Sequence, residues 1–357
     1  MTKEARSWLL REALFCGLLI YAFSPGYAFS QAPFYQGKTL TIVRGGPPGD
    51  TGDMRVRAVI PTLQKYIPGN PTIVVEYMPG GGGRKAANHL YGAAQPDGLT
   101  IANIGAGFVS SAILGLPGVQ YDVDRVIYLG SGNSRTSYVL LTRREVGLDT
   151  IKKFRSASGI RIGAQSVGHD VYINGRLFAW LLGLKEAKFV TGYSGVEVDQ
   201  GLLRGEVDAR ANITDTIPLR NPDWIEKGLV HFHAVLEIPR GFRLRHRAFE
   251  HLPELESFAG TDLEKKVLHM FRSFRLVGSP FILPPETPKE RVAVLQEAFR
   301  KTFKDPEFMK TWKKLTGADA YPLMPEEQER TIREIPREHE VIALFNKIAG
   351  GGPLPSR

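Results

Sequence analysis

Three loops carry the residue types best able to touch a ligand. Arg44 to Asp53 reads RGGPPGDTGD, and Met78 to Gly83 reads MPGGGG before running into Arg84 and Lys85. Each follows a short β-branched run and opens a helical stretch. A helix N-terminus presents unpaired N–H groups and partial positive charge. Glycine removes the Cβ atom that would hold a ligand off the backbone. Such loops suit a carboxylate or a phosphate, and Arg84 and Lys85 would add attraction. GGGGRK is not a P-loop, because the G-x-x-x-x-G-K-[ST] spacing fails. No dinucleotide fingerprint stands at the strand-to-helix junction either. A tight turn without a ligand is the plainer alternative for both loops.

The third loop is Ser166, Val167, Gly168, His169, Asp170. Ser166 and His169 can donate or accept hydrogen bonds at a helix start, and Asp170 is expected as the N-cap. A serine, a histidine and an aspartate suggest a hydrolase, but a triad converges from separate elements and G-x-S-x-G is absent. His231 and His233 alternate on a strand and share a face. No third ligand at a recognised spacing accompanies them, so ordinary surface or core histidines are expected and no metal. The cluster Arg240, Arg243, Arg245, Arg247 reads as a solvated face or a docking patch.

The elements that position these loops follow an α/β rhythm. Thr39 to Val43, Pro71 to Tyr77 and Leu99 to Ile104 read as strands. A helical spacing of Val56, Val59, Ile60 and Leu63 lies between the first two, and a second helix begins at Arg84 or Lys85. The pattern repeats with strands at Val126 to Leu129, Tyr138 to Thr142, Ile160 to Gly163 and Lys188 to Thr191, and another near Asn212. Helices carry Leu177 to Leu182 and Val196 to Leu203. Strand, loop, helix, strand predicts parallel sheets. Pro288 to Phe303, Pro306 to Leu315 and Glu326 to Ile335 read as helices, with Asp305-Pro306 as a cap and first-turn pair. The last residues, GGGPLPSR, read as a loose tail.

The chain has 357 residues, of which 43% are hydrophobic and 23% charged, with 38 Gly and 24 Pro. That is enough for a large core in more than one lobe, and it is not the composition of a disordered chain. Lys3, Arg6 and Arg11 precede an apolar run from Ala13 to Phe23, then Ser24, Pro25, Gly26 and small residues at Ala28 and Ser30. This is the layout of a secretory signal peptide over residues 1–30, with cleavage after Ser30 or Ala28. The sole cysteine, Cys16, lies inside it, so an exported form would have no disulfide and would rely on core packing. The net charge of +9 suits a basic surface or an anionic solute. No basic-aromatic motif points to nucleic acid.

In this order, the loops resemble the substrate-binding receptors of tripartite tricarboxylate transporters, the Bug-type extracytoplasmic receptors. VVEYMPGGGGRKAANHLYGAAQPDGLTI, Val74 to Ile101, is similar to the family's V-V-E-N-R-P-G-A-G-G stretch followed by A-x-P-D-G-[YL]-T. Pro47 to Asp53 resembles its P-G-G-x-x-D turn with one extra residue. GAQSVGHDVYINGRLF, Gly163 to Phe178, resembles G-S-S-G-x-G-S-x-x-H-L-x-G-E-L-F. Tyr193-Ser194-Gly195 matches Y-K-G, Gly205 to Asp208 matches G-x-V-D, and PPETPKERVAVLQEAFRKTFKDPEF resembles a C-terminal family segment.

The resemblance implies a two-lobed periplasmic-binding-protein fold of the Venus-flytrap, type II-like class. One lobe would hold residues 34–136 plus 272–357 and the other 137–271. It implies capture of a small organic acid, delivery to membrane transporter subunits, no catalysis, no cofactor and a monomer. The ligand-binding positions carried over are Pro47, Gly49, Asp50, Thr51 and Asp53 in the first loop, and Gly80, Gly82, Gly83 and Arg84 in the second. Ser166, Gly168 and His169 follow in the third, with Tyr193 and Gly195 beyond. The chain departs from the family at Asp50, where glycine is usual, and its carboxylate would repel an anion unless Arg44, Arg84 or Lys85 offsets it. His169 replaces a serine and Tyr172 a histidine. A sensor for a membrane kinase would need the same cleft. A secreted hydrolase using His169 with Ser166 or Asp170 is the rival from another class.

Overall fold

The computed structural model describes residues 32–105 and 107–357. The expected signal segment lies outside the described residues. Two five-stranded sheets organise the described residues. The first contains β1 (Thr39–Arg44), β2 (Thr72–Tyr77), β3 (Thr100–Asn103) and β4 (Ile127–Gly130). The second contains β5 (Thr136–Arg143), β6 (Arg161–Gly163), β7 (Lys188–Val190), β8 (Ala209–Ile213) and β9 (Val230–Ile238). The chain then returns to the first sheet as β10 (Phe281–Leu283), giving the orders β2-β1-β3-β10-β4 and β7-β6-β8-β5-β9. In the first sheet β1, β2 and β3 are parallel and β10 runs antiparallel between β3 and β4. In the second, β6, β7 and β8 are parallel, while β5 is antiparallel to β8 and β9.

The helices between the strands are α1 (Thr51–Tyr66), α2 (Arg84–Gly92), α3 (Gly107–Ile113), α4 (Ile151–Ser156), α5 (Asp170–Leu182), α6 (Gly195–Arg204), α7 (Thr216–Arg220) and α8 (Pro222–Glu226). After β9 come α9 (Asp262–Leu276), α10 (Lys289–Lys304), α11 (Pro306–Thr316), α12 (Pro325–Arg333) and α13 (His339–Ala349). The strand-to-helix junctions stand within a residue or two of the sequence expectation. The sequence reading does not single out α9, although Thr261 and Glu264 form a capping box at its start, a pattern visible in the sequence. Among the described residues, no helix is long and apolar enough to cross a membrane.

The chain crosses between the sheets at residues 131–135 and again at 277–280. These segments touch: the Ser131 hydroxyl accepts from the Ser279 amide at 3.1 Å and donates to the Asn133 carbonyl at 3.2 Å. Gly278 has φ +67°, and a Cβ there would fall 1.9 Å from the Asn133 carbonyl oxygen. Only glycine lets the crossings lie this close.

Packing is uneven. α1, α10 and α11 cover one face of the first sheet through Val59, Leu63, Phe299, Phe303 and Phe308. α5 is buried almost all round, because the second sheet covers one side and α13 the other. A helix apolar on every face needs such enclosure.

The C-terminal residues are not a loose tail. The Arg176 guanidinium, 2% exposed, donates to the Ile348 carbonyl, to Lys347 O at 3.3 Å and to Gly352 O at 2.8 Å. Arg357 donates to both Glu264 carboxylate oxygens and to Leu181 O and Phe258 O. A cation placed on the last carbonyls of α13 satisfies acceptors that the helix itself leaves open.

Candidate functional site

The parallel strands of both sheets end in the loops singled out above. Arg44 closes β1, and Gly45 to Asp50 lead into α1. Asp50 is the N-cap, accepting from the Asp53 amide at 2.7 Å, and Arg44 Nη2 donates to both Asp50 oxygens at 3.2 Å. Arg44 is thus the residue that offsets the unusual carboxylate. Arg84 and Lys85 do not pair with it.

Asp53 is 2% exposed. Its carboxylate accepts from the Gly49 amide at 2.8 Å, the Tyr77 hydroxyl at 2.7 Å and Arg57 Nε at 3.0 Å. Burial opposes its ionisation, but the Gly49 amide, the Tyr77 hydroxyl and Arg57 together hold it below its ordinary value. With these partners in place Asp53 braces the loop rather than facing a solute.

Gly80 to Gly83 all have positive φ, from +56° to +138°. Their roles divide. A Cβ on Gly83 would meet Ile104 at 2.9 Å, so this glycine permits close packing of neighbouring loops. A Cβ on Gly82 or on Gly49 would meet nothing within 4 Å. Those two glycines, with Pro47, Thr51 and Gly80, stand on the exposed rim of the strand ends.

In the second sheet Ser166, Gly168 and His169 are exposed at the end of β6. His169, not Asp170, is the N-cap of α5: its Nδ1 accepts from the Val171 amide at 3.2 Å. The Asp170 carboxylate is therefore free to pair with Arg275. Tyr172 is buried and donates to Gly350 O at 2.9 Å, so it does not occupy a ligand-facing position. The Tyr193 hydroxyl donates to Glu206 at 3.1 Å and its ring packs on Gly201, which turns it away from the loops.

A cavity of about 160 Å³ brings His169 and Gly195 together with Tyr138, Asp170, Arg210 and Asn212. Arg210 is 2% exposed and pairs with Asp199, which also accepts from Asn221 at 3.0 Å. Larger hollows of about 470 and 640 Å³ lie beside α9 and against α12. They are lined largely by long charged side chains and by no residue of the three loops.

At the crossing point three guanidinium groups gather. Arg44 lies against the first turn of α1, close to Gly52. Arg55, one turn further on, lies 5.9 Å from the Trp312 ring centroid. Arg275, near the end of α9, lies 6.0 Å from the Tyr138 ring centroid. Burial first, then the charges of Arg275 and Arg44, pull Arg55 down to about 10. Burial pushes the Tyr138 hydroxyl up to about 12 although Arg275 opposes it. The Nε atoms of Arg44, Arg55 and Arg275 and the Tyr138 hydroxyl are buried without a hydrogen-bond partner. Arg55, Arg275, Arg210 and Tyr138 are not among the candidates expected from the sequence. Arg210 and Asn212 alternate on β8 and so share a face, a signal the sequence does contain.

The remaining candidates resolve as scaffold. His233 is buried, stacks on Phe154 with centroids 4.4 Å apart, and shares a 2.9 Å hydrogen bond with Thr142. Arg243 is not a solvated charge: it donates to Glu237 and to the carbonyls of Phe249, Glu250 and Leu252.

No family model and no curated protein matches the chain. Solved structures do. The periplasmic binding protein BugD aligns with a TM-score of 0.56 at 20% identity, covering 88% of this chain and 99% of that one. A TctC solute binding protein from Polaromonas, without ligand, aligns with a TM-score of 0.62 at 16% identity, covering 88% and 98%. MatC from Rhodopseudomonas palustris, with bound malate, aligns with a TM-score of 0.54 at 19% identity, covering 88% and 99%. At such identities the likeness is one of fold: the chain has the two-lobed α/β fold of the periplasmic binding proteins.

Proposed function

We propose that the chain is an exported solute receptor that captures a small carboxylate between its two lobes and delivers it to a tripartite tricarboxylate-type membrane transporter. The observation that carries this reading is the placement of Gly49 and Gly82 at parallel strand ends of the first sheet, and of Ser166 and Gly168 in the second. All four are exposed on loops that open helices. Ligands of open α/β sheets bind beyond the carboxyl ends of the strands. Malate in MatC supports a carboxylate as the solute class.

The lobes in this reading hold residues 34–136 plus 272–357 and 137–271. They act as a monomer in the periplasm after removal of residues 1–30. The solute's anionic end meets the amides around Gly49, Gly82 and Ser166, with Pro47, Thr51, Gly80, Gly168, His169 and Gly195 forming the rim. Asp50, Asp53, Gly83, Arg84 and Tyr193 shape the loops around it. Contacts from both lobes favour a closed form over an open one, and the transporter reads that form.

Receptor is favoured over hydrolase by the third loop. His169 uses Nδ1 to cap α5 and Asp170 pairs with Arg275. Among the described residues, the Ser166 hydroxyl and the His169 ring share no hydrogen bond, so no proton relay joins the three. A thermal-shift screen of residues 31–357 against di- and tricarboxylates, amino acids, aromatic acids and neutral or cationic controls tests the reading. A solute at 100 times its dissociation constant adds about 2.7 kcal/mol. Stabilisation by carboxylates is expected. Turnover of a substrate that is lost in His169→Ala would replace the receptor with an enzyme.

A further inference from the structure

The geometry points to a guanidinium subsite at the base of the cleft, in which Arg55 and Arg275, with the Tyr138 hydroxyl, take one carboxylate of the solute by direct ion pairing. This rests on the receptor reading and adds an anchor to the loop amides. Arg44, Arg55 and Arg275 bring three positive charges. The carboxylates paired with them are Asp50 and Asp170. Among the described residues, one positive charge, that of Arg55, is left without a carboxylate partner.

That charge, on the half-buried Arg55, adjoins groups from which water is largely excluded. Tyr138 is 0% exposed, and the side chains of Arg44 and Arg275 are 7% and 17% exposed. A cation in such a place is costly unless an anion joins it. The donor geometry suits a carboxylate. Asp50 occupies Nη2 of Arg44, and Asp170 occupies Nη1 of Arg275. The Nε atoms of Arg44, Arg55 and Arg275 have no partner. A guanidinium offers Nε–H and one Nη–H as a parallel pair, which matches the two oxygens of a carboxylate. On Arg275 the Nε/Nη2 edge lies opposite the nitrogen that Asp170 holds. The Tyr138 hydroxyl supplies a further donor from β5.

The place fits a receptor that closes. Arg55 belongs to α1 on the first sheet and Tyr138 to β5 of the second, while Arg275 precedes the second crossing. A carboxylate held by Arg55, Arg275 and Tyr138 is therefore gripped from both sides of the hinge, which favours the closed form.

Two variants test this, Arg55→Gln and Arg275→Gln made together with Asp170→Asn so that no carboxylate is left unpaired. The probes are malate, succinate and the monoamide succinamate, read by calorimetry and by thermal shift at low and high salt. Malate or succinate is expected to bind the wild-type chain, with succinamate weaker. Each variant should bind the diacids at least tenfold more weakly and lose most of the salt dependence. Without ligand, Arg55→Gln should melt above the wild type, because a like charge beside Arg44 and Arg275 is removed. A purely structural Arg55 would instead give a lower melting temperature and unchanged affinity, which overturns the subsite. Diacid binding that is lost in Gly82→Val but kept within twofold in both arginine variants also overturns the subsite and leaves the receptor standing. A wild-type chain that binds no carboxylate of the wider screen overturns both.

Discussion

The Tyr172 hydroxyl donates to the Gly350 carbonyl at 2.9 Å, and one turn along α5 the Arg176 guanidinium takes the carbonyls of Lys347, Ile348 and Gly352. The two side chains seat the end of α13 on α5, a helix of the second sheet. Arg176 also lies 4.7 Å from the Phe189 ring centroid. Arg176→Met would keep much of the volume and leave three carbonyls to find water. The expected loss is about 2 kcal/mol or more, because unmet buried acceptors cost more than the bond itself returns. Tyr172→Phe removes the bond to Gly350 O and the acceptor for Arg176 Nη1, and should cost about 1–2 kcal/mol. Urea unfolding followed by circular dichroism measures both. Equal stability of Arg176→Met and wild type would show that the tail is not held by this clamp.

Gly82 stands at φ +65° with open space where a Cβ would be. Gly82→Val should cost about 1–2 kcal/mol from the left-handed backbone alone and place a branched side chain over the loop amides. Gly82→Asn is the control, since asparagine tolerates this conformation. Both variants are expected to fold and to lose stabilisation by carboxylates in a thermal-shift assay. A folded Gly82→Val that keeps wild-type affinity would remove the second loop from the binding site.

Asp53 links the first loop to β2 through the Gly49 amide and the Tyr77 hydroxyl. Asp53→Ala removes the acceptor for three donors. Hydrogen bonds to a charged group contribute about 1.5–3 kcal/mol each, and relaxation of the exposed Arg57 and half-buried Tyr77 recovers part of that. A net loss of about 2–3 kcal/mol is expected, with solute affinity falling at least fivefold because Gly49 is no longer held. Calorimetry on the folded variant reads the affinity. Undiminished affinity would mean that the loop keeps its shape without the brace.

Local signals account for what was legible in the sequence. The β-branched runs before Arg44, Tyr77 and Gly163 and the loops that follow them mark the strand ends, so Gly49, Gly82 and Ser166 stand at strand ends as expected. Side-chain direction was less legible. Asp53 and Tyr193 sit in the expected segments, yet their polar ends are taken by Gly49, Tyr77 and Arg57 in one case and by Glu206 in the other. His169 rather than Asp170 caps α5, and the aspartate that this leaves free pairs with Arg275, which lies far along the chain. Arg55 and Arg275 meet only because the chain crosses twice between sheets. The GGGPLPSR ending reads as loose by composition, but Tyr172 takes the Gly350 carbonyl, Arg176 takes the Gly352 carbonyl, and Arg357 itself donates to Glu264, Leu181 O and Phe258 O. In each case a long-range partner decides the role, and a single sequence shows residues without their partners.

His233 supplies a dependence on acid. Burial first, and then the charge of His231, lower it from the ordinary 6.5 to about 4, with Asp149 opposing. The folded chain therefore keeps this imidazole neutral where the unfolded chain has already protonated it. Between pH 6.5 and 4 the unfolded state binds more protons, so stability rises with pH across that window and is lost as pH falls through it. The full contribution is about 3 kcal/mol, with a slope of at most about 1.4 kcal/mol per pH unit. The carboxylates of Asp53 and Asp208 are held below their ordinary 3.8 and lose their contribution at lower pH, so they fall outside the window. His233→Gln keeps a polar group for Thr142 and loses the stack on Phe154. It should be less stable than wild type at pH 7 and show a shallower fall between pH 6.5 and 4. Urea unfolding at half-unit steps reads the two slopes. Parallel slopes would mean that the imidazole takes up its proton in the folded chain as readily as in the unfolded one, which the buried stack on Phe154 and the bond to Thr142 argue against.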